Sequence, residues 1–275
     1  MANEFEPIMR PELVFGIAGA IGIDIEGINR TLTEALAAVR YESVLIRITE
    51  EIDKEVTNVP TPDETDFGSE ISYKMSHASA VCRKYGSPDT LMRFAINAIR
   101  RHRAKKADPG NDEPAEEQVR AGTAYIVRQL KRPEEVELLR KVYGKQFVLI
   151  SAYGSAEDRK RVIEKALRRG LPLDRQDHQI SARAEELIHR DQNEGSDKHG
   201  QHLRDTFHLA DVFIDGNAKD KMSAMIGRFI DAFFGRADIL RRVGNMECMQ
   251  PSPLRFAQAI FPGKSVQLFL HQKVS

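Results

Sequence analysis

The feature that most constrains the fold is an apolar run at residues 13–19, LVFGIAG, which leads into a further glycine turn. A continuous apolar run is typical of a buried strand that is covered on both faces. A helical pattern follows over residues 26–40, and an alternating pattern then predicts a second strand. The chain therefore opens as strand, turn, helix and strand, which predicts an α/β fold with a parallel sheet covered by helices. The positions that carry these patterns are Ile28, Leu32, Leu36 and Val39 in the helix, and Val44, Ile46 and Ile48 in the second strand.

The rest of the chain continues this alternation of strands and helices. Polar or Pro/Gly-bearing stretches predict loops at residues 50–68 and 104–118, and a third polar stretch covers 172–206. We assign one domain to residues 10–235 and an aberrant or unstructured tail to 236–275. The predicted strands are 124–130, 146–153 and 209–214, and the predicted helices are 69–84, 88–103, one beginning at Pro133, one between Ser155 and Gly170, and a last one with an apolar face from Met222 to Phe234.

Charge and cysteine usage argue against non-specific nucleic-acid binding and against a secreted, disulfide-bonded protein, although a local patch that binds RNA stays open. Lys and Arg together number 41, as do Asp and Glu, so the protein lacks the surplus positive charge that draws proteins to nucleic acids or anionic membranes. The two cysteines, Cys82 and Cys248, form no CxxC pair, as expected of a reduced cytoplasmic protein. The first residues are acidic, and the longest apolar run is interrupted by Asp24 and Glu26. We therefore expect a cytoplasmic protein with no secretory signal and no membrane span.

A strand, a glycine turn and a helix form the setting of a phosphate-binding P-loop, in which backbone amides and the helix N-terminus face the phosphates. Counted from Gly19, the P-loop spacing places Asp24, Ile25 and Glu26 where Gly, Lys and Ser or Thr belong. The lysine for the phosphates and the hydroxyl for magnesium are thus missing, and two carboxylates stand nearby. This pattern argues against ATP hydrolysis of the kinase type.

Two groups of residues are candidates for binding a nucleotide, each with an alternative interpretation. The glycine loop either keeps a degenerate nucleotide-binding site or only permits a tight turn. The polar stretch 183–204 occupies the place where a nucleotide kinase carries a mobile lid, and its arginines are candidates for bidentate phosphate contacts. The alternative is a solvated loop or helix face. The candidates are Gly16, Gly19, Gly22 and Asp24 in the loop, and Arg183, Arg190 and Arg204 in the polar stretch.

Three stretches, at residues 12–28, 124–154 and 186–215, resemble the bacterial anti-phage dCTP/dCMP deaminase family, and the resemblance extends over about residues 10–238. Members of that family place a P-loop-kinase-like domain before a zinc-dependent deaminase domain. The resemblance implies a P-loop nucleotide-kinase-like fold and an enzyme that depletes deoxycytidine nucleotides during phage infection. It implies that the front domain restrains or assembles this enzyme. The expected partners are a nucleotide ligand, further copies of the chain in a homo-oligomer, and a regulatory RNA.

The deaminase chemistry of that family needs an H-x-E motif and a later P-C-x-x-C motif, which hold the zinc ion and the proton-shuttling glutamate. None of the eight histidines of this chain has a glutamate two residues later, and neither cysteine lies in such a motif. The spacing of His199, His202 and His208 also fits no zinc pattern. We therefore predict no catalytic residue and no metal site in this chain, and expect zinc only in the missing deaminase domain.

The resemblance stops after Arg236, and the remaining tail has no helical or strand periodicity. When the tail is back-translated with permitted codons and read in another frame, the peptide obtained resembles the opening of the family's deaminase domain. Our hypothesis is a frameshift near Ile239, and the alternative is a divergent natural C-terminus. A gene without an overlapping deaminase frame would refute the frameshift. Three functions follow: a truncated defence protein that keeps a regulatory and oligomerisation domain, a nucleoside or nucleotide kinase, or a module that binds RNA or a partner.

Overall fold

Five parallel strands form one sheet in the computed structural model, which describes residues 10–62, 66–169, 177–192, 200 and 202–234. The strand order is β2-β3-β1-β4-β5, so the first strand lies at the centre of the sheet. All four pairings are parallel; Phe15, for example, lies opposite Ile126 on one side and Val148 on the other. The strands are β1 (Leu13–Gly19), β2 (Glu42–Arg47), β3 (Thr123–Arg128), β4 (Phe147–Tyr153) and β5 (Val212–Asp215).

Helices connect these strands, and several begin at side chains that cap a free backbone amide. Asp24, Asp66 and Ser155 each accept a hydrogen bond from the first turn of the helix that follows. The helices are α1 (Ile25–Ala38), α2 (Ile48–Glu51), α3 (Phe67–Tyr85), α4 (Thr90–Lys105), α5 (Pro133–Tyr143), α6 (Ala156–Arg168), α7 (Asp177–Gln192), α8 (Leu203–Phe207) and α9 (Lys219–Phe233). No helix in these described ranges has the length and apolar character needed to cross a bilayer.

Two apolar clusters cover the two faces of the sheet because successive strand residues point to opposite sides. In β1, Val14 and Ala18 join a cluster with α3, α4 and α5. Leu13, Phe15 and Ile17 join the other cluster, with α1 and α9. Both faces of β1 are therefore dry, which explains why its sequence is apolar without alternation.

A third, smaller apolar cluster lies between α6 and α7, apart from the two sheet clusters. Its buried members are Ile163, Leu167, Ile180, Ala184 and Leu187. The α7 members recur at i, i+4 and i+7, so this helix buries one narrow stripe. Most of the other residues of α7 are charged or polar, which is why its sequence resembles a loop.

The predicted fold class, an α/β fold with a parallel sheet covered by helices, is confirmed, and its central strand–glycine turn–helix unit is the P-loop nucleotide-kinase-like arrangement. Three differences from the sequence-based expectation change what an element is or where it begins. The polar stretch 172–206 contains α7 and all but the last residue of α8, and Ile48, which the sequence predicts in a strand, is the first residue of α2. The strand predicted from Leu209 begins only at Val212, because Leu209 packs against the sheet cluster from the turn before it. The tail at 236–275 lies outside the described residues.

Candidate functional site

The glycine loop between β1 and α1 lies at the carboxyl edge of the sheet, where ligands bind in open parallel sheets. The loop is a tight turn, in which the Ile23 amide donates to the Ala20 carbonyl over 3.2 Å. Gly22 has a φ of 86°, and a Cβ added there would lie 2.7 Å from the carbonyl oxygen of Arg159. The loop therefore requires glycine at position 22 for its backbone conformation and for its close contact with α6.

The two preceding candidate glycines have packing reasons of their own. A Cβ at Gly19, the last residue of β1, would lie 2.6 Å from Cδ1 of Ile25 at the start of α1. Gly16 lies in the middle of β1, where a Cβ would come within 2.9 Å of the Phe147 ring. Gly16 thus makes room for the Phe147 ring over the central strand and is not part of the turn. A nucleotide-binding role stays a prediction for these glycines.

The backbone of the loop is held by a carboxylate from a distant part of the chain. Asp191, on the last turn of α7, accepts a hydrogen bond from the Ile21 amide over 2.7 Å. Its other oxygen accepts from Nζ of Lys131 over 2.7 Å, and the same ammonium donates to the Gly19 carbonyl over 2.6 Å. A P-loop directs such amides towards a phosphate. In this protein the Ile21 amide donates to the carboxylate of Asp191 instead, a residue that is 2% exposed.

A second buried cation lies on the other side of this turn. Nε of Arg159 donates to the Ile21 carbonyl over 3.1 Å. Burial lowers the pKa of the Arg159 guanidinium, and the negative charge of Asp191 partly opposes that shift. With its amide oxygen turned towards α6, Gln192 accepts from both terminal nitrogens of Arg159. The loop thus lies between two cations, Lys131 and Arg159, and one anion, Asp191.

The two carboxylates that replace the P-loop pattern are engaged at the start of α1. Asp24 caps the helix, since its Oδ1 accepts from the Gly27 amide over 2.8 Å. Glu26 forms an ion pair with Arg128 at the end of β3. Burial raises the pKa of Glu26, but the hydrogen bond and charge of Arg128 outweigh it and hold that pKa below its ordinary value. Both groups place negative charge where kinases bind phosphate.

The three candidate arginines fall into two places. On α7, Arg183 donates to Oγ of Ser72 over 3.1 Å, and Arg190 donates to Oγ of Ser76 over 2.8 Å. These two side chains therefore connect α7 to α3. Arg204 is exposed on α8 and lines a cavity beside the loop. A role in phosphate binding stays a prediction for all three.

That cavity has a volume of about 270 Å³ and opens at the carboxyl edge of β1 and β4. Two arginines, Arg159 and Arg204, provide positive charge, and Tyr153 and Phe207 provide aromatic surface. Its remaining lining comes from the loop, the end of β4, and the residues around α7 and α8: Ala20, Ile23, Ala152, Gly154, Gln192, Leu203 and His208. The combination suits a small anionic ligand with a planar, apolar body.

Sequence reasoning missed Lys131, Arg159 and Asp191, which form the polar centre of this site. The only local signal was the position of Lys131, directly after the predicted strand 124–130. Nothing local marks the other two, because Asp191 lies 170 residues from its partner Ile21 and Arg159 lies 138 residues from the same residue.

Among the residues that the structure describes, neither metal ligation nor a reactive thiol adds to this site. Within the described residues, no group of three or more His, Cys, Asp or Glu side chains is arranged to hold a metal ion. His202 and His208 are described, whereas His199 lies outside the described residues. Burial raises the pKa of Cys82 to about 11, so this thiol is not a ready nucleophile near neutral pH.

No family model matches this chain, and no curated protein matches it. Among solved structures, it is similar to a gluconokinase from Sinorhizobium meliloti 1021, at 14% identity and a TM-score of 0.38, over 86% of this chain and 99% of the other. It is also similar to an uncharacterized protein from Eubacterium ventriosum ATCC 27560, at 11% identity and a TM-score of 0.37, over 80% and 98%. The strand order and the loop define the class: a kinase-like α/β protein whose glycine loop lacks the lysine of a P-loop.

Proposed function

We propose that this protein is a kinase-like domain that binds a nucleotide without transferring its phosphate, and that it serves as a regulatory and assembly domain. One observation carries the proposal: the Ile21 amide of the glycine loop is bound by the Asp191 carboxylate. Phosphoryl transfer by P-loop proteins uses a lysine on the phosphates and a hydroxyl on magnesium, both from the loop itself, and no residue of this loop supplies either. The loop therefore keeps its shape but not the groups that perform transfer.

The cavity beside the loop supports a nucleotide as the ligand. Arg204 and Arg159 suit a phosphate, and Phe207 and Ile23 suit the faces of a base. A volume of about 270 Å³ is close to the lower end of small-molecule sites, which favours one nucleoside unit over a dinucleotide. The position at the carboxyl ends of β1 and β4 is where open parallel sheets bind ligands.

The resemblance of the sequence to the anti-phage deaminase family supports the biological role that we propose. A domain of this kind precedes the deaminase in the anti-phage deoxycytidine nucleotide deaminase family, and this chain contains neither zinc motif. We propose a member of that family that retains the nucleotide-binding, regulatory and oligomerisation domain. Association with further copies of the chain belongs to the proposal, and a salt-dependent gel shift tests a regulatory RNA.

The test combines a binding screen with an activity assay. Thermal unfolding is followed with dCTP, dCMP, dTTP and ATP, because a ligand that binds only the folded state raises Tm. We expect one deoxycytidine nucleotide to raise Tm, and no ADP to form from magnesium-ATP with dCMP. Robust ADP formation would make the protein a kinase, and the absence of any Tm shift would remove the nucleotide from the proposal.

A pair of arginine variants locates the ligand. We expect Arg204→Ala to reduce the nucleotide-dependent rise in Tm while leaving the ligand-free Tm within about 1 °C, because Arg204 is exposed. Arg161→Ala is the matched control, since Arg161 is an exposed arginine on α6 outside the cavity lining. An equal response of the two variants would place the nucleotide elsewhere.

A further inference from the structure

We propose that Asp191 is a built-in substitute for a ligand phosphate, which occupies the anion site of the glycine loop until a phosphate-bearing ligand displaces it. The anion site consists of the Ile21 amide and the Lys131 ammonium. The inference deepens the proposed function and rests on it for the identity of the ligand as a nucleotide. It adds a mode of regulation: ligand binding at the loop is coupled to release of the C-terminal end of α7.

The contacts of Asp191 are those that a phosphate makes at a glycine loop. One carboxylate oxygen accepts from a backbone amide at 2.7 Å, and the other accepts from an ammonium at 2.7 Å. Backbone amides and a lysine are the groups with which such loops bind phosphate. Lys131 comes from the segment after β3 instead of from the loop, so the cation is present although the usual sequence position lacks it.

The charges around the loop require an anion at this position. Lys131 and Arg159 are both largely buried, with exposed fractions of 11% for the Lys131 side chain and 7% for Arg159. Asp24 caps α1, and Glu26 is paired with Arg128, so neither neutralises these cations. Without Asp191 two buried cations would lack a counter-ion, which is strongly unfavourable. An oxyanion from solution is the natural replacement.

The attachment of α7 makes such an exchange compatible with an intact sheet. The buried apolar residues of α7 form a cluster with α6, against which Ile21 of the loop and Phe67 and Ile71 of α3 also pack, and both sheet clusters lie elsewhere. Polar contacts also hold α7: Asp191 accepts from the Ile21 amide of the loop, and Arg183 and Arg190 donate to serines of α3. Asp191 is one residue from the end of α7, where helices open most readily. Its release therefore breaks polar contacts at a helix end and leaves the core packed.

The first experiment uses inorganic pyrophosphate as the probe, on the full 275-residue chain. We expect Asp191→Ala to bind pyrophosphate at least tenfold more tightly than the wild type in calorimetry, and to recover lost Tm when pyrophosphate is added. Asp191→Asn keeps an acceptor for Ile21 without the charge, and is the variant to measure if the alanine variant does not fold. Equal pyrophosphate affinity in wild type and in the folded variant would overturn the proposal.

Two controls make the result specific. The double variant Asp191→Ala with Lys131→Met should lose the pyrophosphate response, because the ammonium is part of the anion site. Glu12→Ala removes a comparably buried carboxylate at the opposite end of β1, away from the cavity. An equal pyrophosphate response in that variant would show a general effect of deleting a buried carboxylate and would overturn the proposal.

The second experiment tests displacement in the wild type. Hydrogen exchange of peptides that cover residues 186–192 is compared with and without a saturating nucleotide from the thermal screen. We expect faster exchange with the nucleotide bound, since the end of α7 is then released. Slower or unchanged exchange with bound nucleotide would overturn the displacement and leave the proposed function standing. The pyrophosphate measurement needs no nucleotide, so it decides the inference even if the nucleotide screen fails.

Discussion

At each end of the central strand, a buried carboxylate accepts from a backbone amide and pairs with a cation, but the two carboxylates belong to different elements of the fold. At the amino end, Glu12 accepts from the Arg120 amide over 3.0 Å and forms an ion pair with Arg103. At the carboxyl end, Asp191 accepts from the Ile21 amide and forms an ion pair with Lys131. Both carboxylates are 2% exposed.

The difference lies in which element carries the carboxylate. Glu12 directly precedes β1, so the sheet itself fixes its position, and it ties α4 and the segment before β3 to the central strand. Asp191 comes from the end of α7, a helix whose buried apolar residues pack with α6, with the start of α3 and with Ile21 of the loop rather than with the sheet clusters. Contacts of the same kind therefore hold both edges of the sheet, but the carboxylate at one edge directly precedes the central strand, whereas the carboxylate at the other edge lies at a helix end that a ligand can displace.

The largest expected effect on stability comes from removing the carboxylate at the amino end of β1. Glu12→Ala should lower the free energy of unfolding by about 3–5 kcal/mol, because it leaves Arg103 largely buried without its partner. Urea unfolding of the variant and the wild type measures the loss. Glu12→Gln should lose less, since it keeps an acceptor for the Arg120 amide. A loss below about 1 kcal/mol would mean that Arg103 finds another partner. The Glu12 contacts would then not be what holds the amino end of β1 in place.

A pair of glycine variants compares the backbone at the two edges. Gly22 and Gly122, before β3, have φ values of 86° and 71°, so alanine is strained at both. A Cβ at position 22 meets the Arg159 backbone, whereas at position 122 its nearest neighbour is 3.7 Å away. We expect Gly22→Ala to cost about 3 kcal/mol in the free energy of unfolding, and Gly122→Ala about 1–2 kcal/mol. If urea unfolding showed equal losses of stability for the two variants, the close contact between the loop and the backbone of α6 would not contribute.

The smallest expected effect concerns α3, which carries the serines that α7 contacts. Its cap, Asp66, accepts from the Gly68 amide and from the Ser69 amide and hydroxyl. Asp66→Ala should cost about 1 kcal/mol near neutral pH. The hydrogen bond from the Ser69 hydroxyl lowers the pKa of Asp66, although burial opposes this shift. The stabilisation is therefore complete above the ordinary pKa of an aspartate and is lost as the pH falls through the lower, folded-state value.

Urea unfolding at several pH values measures this dependence. The stability difference between the wild type and Asp66→Ala should shrink in acid. Asp66→Asn is the matched control, because asparagine caps a helix without titrating. A difference that stays constant down to the acid limit would show that the charge of Asp66 plays no part in holding α3.

Local periodicity was enough to predict most of the fold. The apolar run of β1, the helical spacing of α1 and the cap and stop residues around α6 each contain their own signal, because burial on two faces or on one stripe demands a fixed spacing. The same rule failed for α7, since a stripe of three buried residues is lost among charged neighbours. The strand order, with β1 at the centre, also has no local signal.

The sequence by itself determined that the glycine loop lacks the lysine and the hydroxyl of a P-loop, because those absences are read at fixed positions after Gly19. Only the tertiary structure decided which groups lie at the loop in the absence of that lysine and hydroxyl. The Asp191 carboxylate accepts from the Ile21 amide, 170 residues away in the chain, and Lys131, from the segment after β3, donates to that carboxylate. Hydrogen bonds between distant segments depend on how the helices pack around the sheet, and residue spacing along the chain contains no record of that packing.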